Sequence, residues 1–146
     1  MCFWATGHTL LGRGLQPVGE LLEKGVVIPN PRQTDLQLSV LISAAVLNST
    51  AQLKLSEDTR DRQAIRALRP DEVGGDFSTF ALGQHWVAAG NTTEVPLIVL
   101  GAKVGIFRLL LSREYPSVAV SRSGKVAPEV PFSSDRKLMI SVLHAS

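Results

Sequence analysis

The chain has 146 residues, of which 45% are hydrophobic and 19% charged. This excludes the apolar-poor, charge-rich composition of disordered chains, and a chain of this length buries enough apolar surface to fold without a covalent staple. The single cysteine, Cys2, excludes an intrachain disulfide, and 15 basic against 13 acidic side chains exclude strong charge-driven steering of a partner. Residues 1–99 carry 8 basic and 10 acidic groups, whereas residues 100–146 carry 7 and 3. An excess that small does not point to nucleic acid.

In chain order, residues 1–24 are expected as a poorly defined N-terminal segment and residues 25–146 as one domain. The first residues lack a basic stretch followed by an apolar run, so no signal peptide is expected in this chain, and the compartment stays open. Leu15 to Lys24 is read as a short helix, with Leu15, Val18, Leu21 and Leu22 on one face and Gly25 as its stop. Val26-Val27-Ile28 is read as a strand closed by Pro29-Asn30-Pro31.

The strongest pattern follows. Leu36, Leu38, Val40, Ile42, Ala44 and Val46 recur at every second position, which predicts a strand with one buried face. Asn48-Ser49 supplies a turn, and Ala51, Leu53 and Leu55 continue the alternation, so the two runs are expected to pair as an antiparallel hairpin. Residues 57–68 are read as a short amphipathic helix ended by Pro70, Phe77 to Leu82 as an irregular strand, and Gln84 to Ala88 as a further strand.

Two readings compete over 93–112. A helix would start at Thr93 and Glu94. Strands would use the β-branched Val95, Ile98, Val99, Val104 and Ile106, and the interior Gly101 and Gly105 would cost a helix about 2 kcal/mol relative to alanine. Strands are therefore preferred. The apolar stretch Val95 to Leu111 contains Pro96, Lys103 and Arg108, which argues against a membrane span. Val118 and Val120 mark another strand, and Leu138, Ile140 and Val142 a closing one.

The fold class expected from these elements is all-β, an antiparallel β-sandwich with one or two short helices. The alternative is α+β with a helix at about 93–112. Two segments support the sandwich: Ala88-Ala89-Gly90-Asn91-Thr92-Thr93-Glu94-Val95-Pro96-Leu97 and Gly105-Ile106-Phe107-Arg108-Leu109-Leu110-Leu111-Ser112. They resemble the loop and strands of bacterial immunoglobulin-like β-sandwich domains, over about a third of the chain. The paired cysteines of antibody-type domains are missing. The resemblance implies an adhesive, spacer or accessory binding module.

No phosphate loop, dinucleotide fingerprint, zinc-type ligand spacing or nucleophile elbow occurs, so no cofactor, metal or catalytic residue is assigned. His85 is the only histidine away from the chain ends and is the candidate general base of an alternative reading as a small hydrolase or transferase. Arg62, Arg66 and Arg69 would align on a helix and offer an anion-binding row, although Glu57, Asp58 and Asp61 could neutralise them. Leu41, Ile106 and Leu110 fall on strand faces that a sandwich should keep polar. The leading expectation is a non-catalytic binding or structural module acting on a protein partner or on further copies of itself, with nucleic acid disfavoured by the low aromatic content.

Overall fold

The computed structural model describes residues 2–3, 7–56, 65–69, 72–73, 85–115, 129–135 and 138–141. The architecture over these residues is mixed α+β, which overturns the all-β sandwich. Strands β1 (Cys2–Phe3), β2 (His8–Gly12), β3 (Gly19–Glu23) and β4 (Val26–Val27) form an antiparallel sheet in sequence order. The helix expected over Leu15 to Lys24 is a correction here. Gly25, read as a helix stop, instead shares a two-residue hairpin turn with Lys24, at φ 83° and 50° respectively, and Leu22 pairs with Val27 across it. Positive φ at both central residues matches the right-handed twist of the flanking strands. The expected division at residue 24 falls inside this turn.

Helix α1 (Pro31–Thr34) is a single turn, and α2 (Leu36–Leu47) follows it. The long strand expected at 36–46 is thus a helix, for a physical reason. Positions 38, 42 and 46 belong to a two-residue period and to a four-residue one alike, and it is Leu38, Ile42 and Val46 that are buried. Leu36 and Val40, which a strand would bury with them, are 76% and 60% exposed. Asp35 starts the helix by accepting a hydrogen bond from the Leu38 N–H at 2.9 Å.

The second sheet has β5 (Gln52–Ser56) at its centre, flanked by β6 (Ile65–Ala67) and β7 (His85–Ala89), both antiparallel to it. Leu55 faces Trp86 across the β5–β7 ladder, and Leu53 faces Ala88. The helix expected over 57–68 lies outside the described residues for 57–64, and Ile65–Ala67 is strand. The expected strands at 77–82 and around Val118 also lie outside the described residues. Strands β8 (Glu129–Ser133) and β9 (Leu138–Ser141) pair as a bulged hairpin, so the closing strand is present.

The stretch 93–112 is neither a strand pair nor one helix. It forms α3 (Val95–Lys103) and α4 (Arg108–Glu114), which meet at 83°. The two glycines counted against a helix have separate tasks. A Cβ on Gly101 would stand 2.5 Å from Val46 Cγ2 and 2.6 Å from the Ile106 carbonyl oxygen, so its absence lets α3 approach α2. Gly105 lies just beyond α3 at φ 77°. It donates to the Ala102 carbonyl at 3.2 Å while Ile106 donates to that of Gly101 at 2.7 Å, a Schellman ending that turns the chain into α4. The β-branched residues are accommodated because Ile98 and Val99 are buried, and packing outweighs their modest helix penalty. The two segments that carry the immunoglobulin-like resemblance run from the end of β7 into α3 and from Gly105 into α4.

Helix α3 serves two apolar clusters. Leu100 packs with Leu21, Leu38, Ile42, Val46, Ile106 and Leu111, while Ala102 packs with Leu55, Val73, Trp86 and Phe107. Among the described residues, no single helix is long and apolar enough to cross a membrane.

Candidate functional site

Small side chains meet where β5, β6 and α3 converge: Ala51, Ala67 and Ala102. Larger groups would close this space, because protein interiors otherwise pack to crystal-like density. The result is a cavity of about 310 Å3 between the second sheet and the α3–α4 corner. Leu53 and Leu68 line it from the sheet, and Ile98, Phe107 and Leu109 from the helices. Its polar lining comes from Gln52, Arg108 and Ser112. Ala67, Gln52 and Ser112 are exposed at its mouth. The Ser112 hydroxyl donates to the Arg108 carbonyl at 2.7 Å.

Glu94 ties the helical wall to the sheet wall. Its Oε2 accepts from the Thr50 N–H at 2.6 Å, the Thr50 hydroxyl at 2.9 Å and the Ala51 N–H at 3.1 Å. Burial pushes this carboxyl up, but the three donors, helped by the charge of Arg108, outweigh burial and hold it below the usual carboxylate range. The start of α3 is thereby fixed to the start of β5.

A second polar contact fixes the other end of α3. Lys103 is buried, and its Nζ donates to the carbonyls of Arg13, Gln16 and Val18 at 3.1, 2.6 and 3.2 Å. Desolvation lowers its pKa. All three acceptors lie in the connection between β2 and β3, so the ammonium anchors that loop to the helix. This residue was not singled out from the sequence, because its acceptors are backbone groups some 85 to 90 positions away.

The sequence-derived candidates are not gathered in one place. Arg62 lies outside the described residues. Arg66 is on β6 rather than on a helix, and its Nη1 and Nη2 donate to Glu72 at 2.8 and 2.5 Å. The Arg69 N–H adds a bond to Glu72 Oε2 at 2.8 Å. These contacts hold the Glu72 carboxyl down to about 2, with the Arg66 hydrogen bond the largest cause. The helical row of arginines is therefore corrected to a strand arginine engaged by a nearby carboxylate. His85 is exposed at the start of β7, opposite Ser56 and outside the cleft lining. Leu41 is 48% exposed on α2, Ile106 is buried in the first cluster, and Leu110 is half-buried against the second. Among the described residues, no group of three or more His, Cys, Asp or Glu side chains is placed to hold a metal.

The cleft could not be read from the sequence, because its walls come from four separated segments whose lining residues are mostly ordinary core types. Comparison with protein-family models, with curated proteins and with solved structures finds no match.

Proposed function

We propose that the protein is a non-catalytic binding module that works by protein–protein contact, with a second copy of itself as the occupant of its contact face. The observation that carries this reading is helix α2. Nine of its twelve residues are apolar, all round the helix axis, yet only one side is buried. Leu36, Val40 and Leu41 stand outward on the other side. Helices apolar on every side ordinarily have every side covered. An isologous contact places one such face against its own copy and needs no second kind of surface.

Size-exclusion chromatography with light scattering over a concentration series tests this. The expected result is a concentration-dependent dimer that Val40→Glu dissociates. A strictly monomeric protein at the highest concentration, with the variant indistinguishable from it, removes the self-association.

A further inference from the structure

Residues 13–18, between β2 and β3, are held differently from the sheet that they join. The ladder of the two strands closes with the pair Gly12 and Gly19. Beyond it the carbonyls of Arg13, Gln16 and Val18 converge on the Lys103 amine. Leu15 is half-buried against the second apolar cluster, and Pro17 is buried. We infer that residues 13–18 form a strap, hinged at Gly12 and Gly19 and latched by Lys103 over that cluster, which opens as a unit while the sheet stays folded. This device is independent of the α2 face.

The hinge pair is shaped to the latch. A Cβ on Gly12 would stand 2.9 Å from Lys103 Nζ, and one on Gly19 would stand 3.1 Å from Lys103 Cβ and Cδ. The lysine stem therefore crosses the last ladder pair at the point where neither strand carries a side chain. Gly12 also has φ 146°, a backbone setting that glycine adopts at little cost. The closed form depends on the cation. An ammonium has three N–H donors, one for each carbonyl, and without it three acceptors would face one another. Its hold is nevertheless modest, because taking the charge out of water offsets part of what the three bonds contribute, in keeping with the lowered pKa of Lys103. Release of the strap thus costs far less than opening the ladder behind it, the order expected of a locally unfolding unit. What the strap bears on is the helix corner of the cleft: the cluster beneath Leu15 includes Ala102 and Phe107, which also line that cavity.

Limited trypsin digestion of the full chain, with the cleaved bonds identified by mass spectrometry, tests the strap. Arg13 is exposed within it, and Lys24 is exposed on the β3–β4 turn of the same sheet, so the second bond reports on the sheet itself. When opening and closing are fast relative to cleavage, the rate of cutting tracks the population of the open form. Lys103→Met keeps the length of the stem and removes the charge. It is expected to speed cleavage after Arg13 by about ten- to a hundredfold, the range of a hydrogen-bonded charge, and to leave cleavage after Lys24 nearly unchanged. Gly12→Ala, whose Cβ would crowd the amine with Lys103 still in place, should act in the same direction and keeps the test available if the lysine variant fails to fold. Equal acceleration after Arg13 and Lys24 overturns the strap, because the sheet then opens with it. So does unchanged cleavage after Arg13 in the folded variants, or failure of both variants to fold.

Discussion

His8 is only 5% exposed, and among the described residues neither of its ring nitrogens has a hydrogen-bond partner. An imidazole loses its water on burial, and without a partner that loss is uncompensated, at a cost of about 1–3 kcal/mol. Replacement by an apolar side chain of similar reach removes the cost while keeping the volume. His8→Leu is expected to raise the urea midpoint, by about 1 kcal/mol in stability, with the slope of the transition unchanged. Glu72 presents the opposite case, a polar group well served. Its folded-state carboxyl is lowered from 4.5 to about 2, so the unfolded chain takes up the proton first as pH falls. The stabilisation is complete above 4.5 and is lost progressively toward pH 2. The pair is partly solvent-facing, which discounts the shift to about 1–2 kcal/mol. Denaturant titrations between pH 6 and 2 are expected to show this loss in the native protein, and Glu72→Gln to remove that part of the pH dependence.

The elements were unevenly legible in the sequence. Val26-Val27, the run through Leu53 and Leu55, the strand near His85 and the closing strand at Leu138 lie in segments where β-branched or alternating residues are bounded by turn chemistry, and all are strands. The helices were misread where a pattern fits two periods. In α2 the buried positions 38, 42 and 46 satisfy both, and the signal that decides between them is Asp35, a cap three residues before Leu38. Around α3 the glycines misled: Gly101 is required by a contact with α2 that no local window contains, whereas Gly105 stands just past the helix and ends it. Gly101→Ala is expected to destabilise by about 1–3 kcal/mol, the usual range for overpacking. Val46→Ala in the same chain should recover part of that loss, because the clash is with Val46 Cγ2. Gly105→Ala meets nothing within 4 Å, so its expected cost of about 1 kcal/mol is that of the left-handed backbone alone, and the Val46 change should not relieve it. Thermal or urea unfolding of the double variants separates the two.

At the scale of the whole molecule, α3 is a shared wall. It packs Leu100 into one cluster and Ala102 into the other, so loosening either side exposes the helix to both. The described sheets and helices around it are expected to unfold in one transition rather than two. A stability coupled to self-association has a further signature: binding that favours the folded state makes the melting temperature rise with protein concentration. Scanning calorimetry over a hundredfold concentration range is expected to show that rise in the native protein and a flat response in Val40→Glu. The cleft gave no trace in composition or motif for the same reason that it exists. Its lining, which includes three alanines distant in sequence, comes together only on folding.

Lys103 offers a built-in reporter of opening. While its amine is engaged by the loop between β2 and β3, acylating reagents and trypsin are denied the residue, whereas Lys24 on the exposed hairpin turn reacts freely. The rate at which Lys103 becomes labelled therefore times the release of the β2–β3 loop from the helix, without any engineered probe.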